Sequence, residues 1–361
     1  MPHDGESGMI RASRWALFAA SLVTALIAAE LLLRAFGLPD SLPAPPAPST
    51  IDPYEANPYI VSRRPYGAMF LPGSTYRAER PSYVVDYEIN AHGFRGPAIE
   101  SKTDRRLLVI GDSIPEGHGV PAEESVPTRL DRALNGSRWS VVSAAMQGGS
   151  PLQYAANVPR YLALEPDAVL LVLYENDLWD DRAKESNYFA LPVLVDKPAP
   201  HLWTLARTLT SPPVDTPLEA QIRKNRDTPL PAYPPDPVSP IVVPPEAFEA
   251  EWNQSAAYLD ALADELEKHE IPLFVAVYAL GTLVPRAPEA HRLHAENLER
   301  SARTWSEGRS VPFLSLFQVT RGALAELPWE EVLIPDDGHP TTEMHRRLAL
   351  ELTPWLRTHL P

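Results

Sequence analysis

Beyond residue 105 the chain carries five short apolar runs, at 107–110, 139–142, 168–173, 272–277 and 311–316, each separated from the next by a segment long enough for a helix. Such runs are too short for buried helices, and they do not alternate polar with apolar as half-exposed strands would. The intervening segments read as helices at 123–134, 152–162, 245–268, 289–306 and 341–356, with Asn135 and Gly136 as a stop signal after the first. Strands that are apolar on both faces and joined by helices form a parallel sheet covered on two sides. The expected fold class is therefore α/β, a three-layer α/β/α domain with a five-stranded parallel sheet, over residues 105–361. Sheets of this kind bind ligands beyond the carboxyl ends of their strands, so functional residues are sought just after each run.

Upstream the organisation differs. Residues 1–14 form a cytoplasmic n-region containing Arg11 and Arg14, and the run from Trp15 to Ala29 carries no charge. A helix over 15–36 would be about 33 Å long, enough to cross a hydrocarbon core as a transmembrane anchor. Glu30 costs less near the end of such a span than at its centre. A cleaved signal segment wants small residues at −3 and −1, yet Ile27 precedes Ala29 and Leu26 precedes Ala28 at that spacing. Both readings stay open, with the uncleaved anchor favoured. In either, the basic flank stays cytoplasmic and the rest lies on the extracytoplasmic side, periplasmic or extracellular. Residues 37–53 (LPDSLPAPPAPSTIDP from 38) form a proline-rich stalk, and 54–104 a lead-in segment. Within that lead-in, YVVDYEIN (83–90) alternates as a strand does, and AHGFRGP follows with turn chemistry. A proline-dense insertion at about 185–245, in which APHLWTLARTL has helical character, reads as a spacer or, alternatively, as a lid over the site.

Charge and composition exclude several classes. Forty-seven acidic residues against 32 basic ones leave a formal net charge of −15, which repels phosphate backbones, and no basic stripe offsets it. Nucleic acid is not an expected partner. The chain has no cysteine, so disulfides, thiolate metal sites and a cysteine nucleophile are all excluded.

Three segments carry candidate chemistry. LLVIGDSIPEG places Ser113 just past the first strand, where Gly111 permits a sharp exit and Asp112 and Pro115 favour a turn. A serine hydroxyl needs a base to become a nucleophile. IPDDGHP supplies one: Asp336 and His339 lie three residues apart in a turn-rich segment, so one loop can present both, with Asp337 a neighbour of poorer spacing. VVSAAMQGGSP and LVLYENDLWDD bring Gly148 and Asn176 to the ends of the second and third strands, where a bare backbone N–H and a side-chain amide can face a developing oxyanion. Each motif alone also fits helix capping or an ordinary turn. His118 lies near Ser113 but is a weaker candidate base. His291 with His294, and His339 with His345, could be imagined as metal pairs; the former sits three apart on a charged helix and reads as solvated surface.

The order GDS, glycine loop, N-D and D-x-x-H over about 105–357 resembles the SGNH (GDSL-type) hydrolase superfamily. That resemblance implies a flavodoxin-like α/β/α fold with no metal and no organic cofactor. It assigns Ser113 as nucleophile, His339 as base and then acid, and Asp336 as the residue orienting the imidazole. Ser113 N–H, Gly148 N–H and the Asn176 side chain would form the oxyanion hole, with Gly149 as a register alternative. Tyr174 stands where the family usually has glycine, which puts the width of the acyl pocket in question. The lead-in is similar to membrane-anchored bacterial members, with Asn90, Gly93, Phe94 and Arg95 matching N-x-x-G-F-R. Arg95 could bind an anionic group, although a structural pairing is the expectation.

These readings imply a serine esterase acting on short acyl or O-acetyl esters, with an acylated glycan or lipid as ester substrate and the membrane as partner through the N-terminal helix. An O-acyltransferase using the same triad, and a non-catalytic membrane-tethered glycan-binding protein, are the alternatives.

Overall fold

The structure, a computed structural model, describes residues 21–35, 60–102, 104–191, 216–230, 242–280, 287–335 and 337–361. The chain divides into two compact units: Met1–Thr50 with Phe189–Val214, and Ile51–Tyr188 with Asp215–Pro361. In the first unit, α1 (residues 21–35) is a helix whose Leu22, Val23, Leu26, Ile27, Leu31 and Leu32 are exposed, with Arg34 paired to Glu30 at 2.8 Å. Among the described residues no helix is long and apolar enough to cross a membrane. Residues 15–20 and 36 of the expected span lie outside the described residues, as does the stalk.

The second unit contains the sheet. Strands β5 (Arg105–Gly111), β6 (Trp139–Ser143), β7 (Ala168–Tyr174), β8 (Leu273–Tyr278) and β9 (Phe313–Ser315) are all parallel, in the order β6-β5-β7-β8-β9. Alternate side chains of each strand feed two separate cores, as the period of two requires. Leu108, Ile110, Leu171 and Val275 pack against α4 (Pro151–Ala156), α5 (Val158–Leu162), α8 (Pro245–Lys268) and α9 (Glu289–Gly308). Leu107, Val109, Leu170 and Phe274 pack against α3 (Val126–Leu134) and α12 (Thr342–His359). Fully burying one such leucine stabilises by about 1.5–3 kcal/mol, which makes the paired apolar layers the main source of cohesion. Strand order reverses between β5 and β7, so the crevice at their carboxyl ends is the switch point of the sheet.

The five strands and the three-layer arrangement match expectation; some details differ. The single helix expected at 152–162 is two short helices broken at Asn157, whose Nδ2 turns to Tyr66 O at 2.8 Å and so anchors the lead-in. Part of the presumed spacer is packed structure. Helix α7 (Pro217–Asp227) docks through Asn225, which donates to Glu185 Oε1 at 3.0 Å on α6 (Asp177–Asn187) and to Gln254 O at 3.1 Å on α8. The APHLWTLARTL segment and most of the proline run lie outside the described residues.

The lead-in is two antiparallel hairpins, β1 (Ile60–Arg63) with β2 (Gly67–Phe70) and β3 (Thr75–Arg80) with β4 (Tyr83–Glu88). Asn90 Oδ1 accepts from His92 N at 3.0 Å and from Phe94 N at 3.3 Å, closing the turn after β4 and dropping Phe94 into the core. Arg95 is buried and donates to Glu116 O, Gly117 O and Val120 O, so it clamps the segment behind Ser113. The N-x-x-G-F-R element is a bracket for the site.

Gly149 lies where no side chain fits, because a Cβ there would meet Tyr154 Cε1 at 2.8 Å and Gly111 O at 2.9 Å. Gly149→Ala should therefore lower the free energy of urea unfolding by about 1–3 kcal/mol through overpacking.

Candidate active site

The segment after β5 turns abruptly. Gly111 adopts φ +149°, and a Cβ there would strike Pro115 Cγ at 2.6 Å and Val172 O at 2.7 Å. The next residue caps α2 (Ser113–Glu116): Asp112 Oδ1 accepts from Ile114 N at 2.9 Å, and Gly117, left-handed, ends the turn. This one-turn helix presents Ser113 at the switch point. Its Oγ lies 2.8 Å from His339 Nε2 and 3.3 Å from Asp112 Oδ2. The backbone N–H of Ser113 has no acceptor among the described residues.

His339 sits in a loop held between α11 (Trp329–Val332) and α12. Leu333 pairs with Pro340, Ile334 N donates to His339 O at 2.8 Å, and Gly338 N donates to Ile334 O at 2.8 Å. Gly338 has φ +83°, a conformation glycine adopts without steric cost, and it lets the residues on either side turn toward each other. Those residues are Asp337 and His339, and His339 Nδ1 donates to Asp337 Oδ1. The carboxylate placed against Nδ1 is thus Asp337, whereas the D-x-x-H spacing implies Asp336. Asp336 itself lies outside the described residues. A proton on Nδ1 leaves Nε2 as an acceptor, the tautomer that can draw the Ser113 proton.

Gly148 and Asn176 follow β6 and β7 as expected. Gly149 N donates to Met146 O at 2.9 Å, whereas Gly148 N has no acceptor among the described residues. Of the two registers considered, the loop leaves the Gly148 N–H available. Asn176 Nδ2 donates to Asp180 Oδ2 at 3.0 Å, which leaves its second amide proton for another acceptor. Tyr174 turns into the core layer that contains Ile114, stacks on Tyr278 with ring centroids 5.7 Å apart, and donates to Glu175 Oε1 at 3.0 Å.

Other histidines depart from expectation. His291 and His294 are buried rather than solvated. His294 Nε2 donates to Glu175 O at 2.7 Å and Nδ1 accepts from Val243 N at 3.3 Å, so it braces the turn that carries Asn176. His345 is buried, and burial pushes its pKa down to about 3. Among the described residues one group offers metal-ligand geometry: His118, Asp337 and His339 place ligand atoms within 4.8 Å of one another. That cluster coincides with the Ser113–His339–Asp337 chain, whose hydrogen bonds use the same atoms. His118, in sequence only a weaker candidate base, is a contact of Asp337 (Nε2 to Oδ2, 3.4 Å). Its position five residues past Ser113 was the available signal.

The electrostatics split the acids in two. Burial pushes Asp337 up, but hydrogen bonds from His118 and His339 outweigh it and hold the carboxyl far below the usual range, so it remains an anion. In Asp112 and Glu116 burial outweighs the lowering contacts, from Ile114 N–H on the one and from His118, Arg95 and Gln147 N–H on the other, and raises each to about 7. Glu116 accepts from Gln147 N and so pins the loop that presents Gly148.

Residues 109–347 match the GDSL-like Lipase/Acylhydrolase family. This chain belongs to that family. An arylesterase from Vibrio mimicus is 35% identical over 80 residues, covering 21% of this chain and 40% of the relative, so the chain spans less than half of that protein's length. Among solved structures, Axe2, an acetylxylan esterase from Geobacillus stearothermophilus, is 16% identical with a TM-score of 0.43 over 72% of this chain and 94% of its own. TesA is 15% identical with a TM-score of 0.42 over 70% and 99%.

Two outcomes follow from the site. In this GDSL-family chain Asp337→Asn should cut kcat by roughly 10³–10⁴ by favouring the wrong imidazole tautomer, and a loss of that size in Asp336→Asn instead would make Asp336 the orienting residue. Glu116 binds its proton more tightly when folded (about 7) than at its ordinary value of 4.5, so its contribution to stability is full below 4.5 and lost as pH rises through 7. Glu116→Gln should accordingly stabilise the protein by on the order of 1–3 kcal/mol at pH 8 and have little effect at pH 4, as measured by urea unfolding.

Proposed function

We propose that the chain is a membrane-tethered serine esterase that releases short acyl groups through an acyl-Ser113 intermediate, on the extracytoplasmic side of the membrane. The observation that carries the reading is the 2.8 Å contact between Ser113 Oγ and His339 Nε2, with Asp337 on the other ring nitrogen. As Oγ attacks the ester carbonyl, its proton passes to Nε2, and the C=O electron pair moves onto oxygen. The N–H groups of Ser113 and Gly148 and the amide of Asn176 receive that oxyanion. Collapse expels the alcohol, which takes the proton from His339. Water then attacks the acyl-enzyme by the same route, its proton moving through His339 to Ser113 as the acid departs.

Several features support the finer parts. Tyr174 and Tyr278 fill the apolar layer at the ends of β7 and β8, which favours a small acyl group such as acetyl. The uncharged run from Trp15 to Ala29, the flanking Arg11 and Arg14, and the exposed apolar side chains of α1 favour a tether with the basic end in the cytoplasm. A site held at the outer membrane face would meet O-acylated glycans or lipids of the envelope.

With p-nitrophenyl acetate, Ser113→Ala should lower kcat by at least ~10³ and abolish labelling by a fluorophosphonate, and the full chain should sediment with membranes. Full activity in Ser113→Ala contradicts the mechanism. Transfer of the acyl group to a glycan acceptor faster than to water would make the enzyme a transferase.

A further inference from the structure

The carboxylate of Asp337 has two oxygens, and His339 occupies only one. The other, Oδ2, accepts from Tyr83 OH at 3.0 Å, and His118 Nε2 lies 3.4 Å from it. Tyr83 begins β4 in the lead-in and stands 254 residues away from Asp337 in sequence. The contact is built into the packing: Gly119, at φ +76°, has no room for a Cβ, which would meet Ile334 Cδ1 at 2.5 Å and Tyr83 Cε1 at 3.3 Å. The hairpin thus lies directly against the loop that carries Asp337 and His339.

Hydrogen-bond directions follow from the donors available. Gly119 N donates to Tyr87 OH at 3.2 Å, which frees the phenolic proton of Tyr87 for His118 Nδ1 at 3.3 Å. His118 therefore carries its own proton on Nε2, facing Tyr83 OH at 3.1 Å and Asp337. Tyr83 can accept from His118 while donating to Asp337. The chain Gly119–Tyr87–His118–Tyr83 ends on one oxygen of the carboxylate and leaves the other for His339. The rings of His118 and His339 are also 4.4 Å apart between centroids, so His118 borders the imidazole that becomes charged in the reaction. Among the described residues, further charged or titratable neighbours include Arg80 beside Tyr83, Arg95 over the Tyr87 ring, Tyr76 stacked on Tyr87, Glu116 near His118 and His345 near His339.

We infer that Tyr83 and His118 are positioning residues for catalysis: they hold the second oxygen of Asp337, so that the lead-in hairpin completes the triad. The inference rests on the esterase reading. Its logic is geometric and electrostatic. A carboxylate with one oxygen fixed can rotate only about a restrained axis, which keeps the His339 ring aligned on Ser113. Donors on Oδ2 also share the negative charge and so moderate how strongly Asp337 favours protonated His339.

The test uses the full chain, as wild type, Tyr83→Phe and His118→Gln, with kcat and KM for p-nitrophenyl acetate measured across pH alongside thermal melting and fluorophosphonate labelling. Tyr83→Phe is expected to lower kcat about tenfold with KM within about twofold. The acid limb of its kcat/KM profile is expected to move up by roughly half a pH unit, because a less shared Asp337 charge makes His339 easier to protonate. His118→Gln is expected to move the limb in the same direction. An active wild type whose two variants keep its kcat and its acid limb overturns this inference alone. So does a loss of activity that tracks melting temperature while the limb stays fixed. A wild type that neither turns over ester nor takes the label overturns the esterase reading, and this inference with it.

Discussion

The hydrogen bond from His339 Nδ1 to Asp337 decides what the rest of the site can do. It fixes the proton on one ring nitrogen and leaves the other bare toward Ser113. Much of the surrounding architecture serves that bond. The loop from Leu333 to Pro340 is closed by its own backbone hydrogen bonds, a left-handed glycine separates the two side chains, and Thr341 caps the last helix immediately beyond, its Oγ1 accepting from Met344 N at 3.4 Å. The parallel sheet contributes by bringing the ends of β5, β6 and β7 side by side, so that a hydroxyl, a glycine amide and an asparagine amide arise from adjacent strands.

Holding this arrangement requires polar groups to be buried. Arg95 gives up solvent to grip three carbonyls behind the nucleophile, and it lies 3.8 Å over the Tyr87 ring, where the π-face accommodates part of its charge. Glu116 and Asp112 are buried beside Ser113 and accept backbone N–H bonds that define the two loops on either side of it. A buried carboxyl that is hard to ionise can still accept such bonds in its neutral form, so these acids shape the site without adding full charges beneath the nucleophile. Asp337, supplied with donors on both oxygens, is the carboxyl there that stays ionised most firmly.

Much of this was legible in the sequence, and the exceptions have physical causes. Buried parallel strands announce themselves as uninterrupted apolar runs, so β5 to β9 were found within a residue or two at most ends. Ser113, Gly148 and Asn176 follow strands and could be located by that rule. The contact of Asp337 with the His339 ring could not be read from spacing, because it depends on the backbone at Gly338 rather than on the count of intervening residues. Tyr83 and His118 were invisible as partners of Asp337 because strand periodicity says where a side chain points, not which distant loop it meets. Helix α7 was missed because the prolines around it dominate the composition of its surroundings, although Thr216 caps it and Ile222 and Asn225 are buried. His291 and His294 looked solvated from the charges on their helix, yet the face they share is the one turned inward.

In this site the imidazole, aligned by Asp337, stands ready to activate Ser113 next to the amide donors. A crystal structure of the protein after reaction with a dialkyl p-nitrophenyl phosphate tests this activation most directly. The expected result is phosphorus bonded to Ser113 Oγ, its free oxygen directed at the Gly148 N–H and the Asn176 amide, and His339 still bonded to Asp337. Phosphorus on another side chain, or His339 turned away from Ser113 and paired with a different carboxylate, would contradict it.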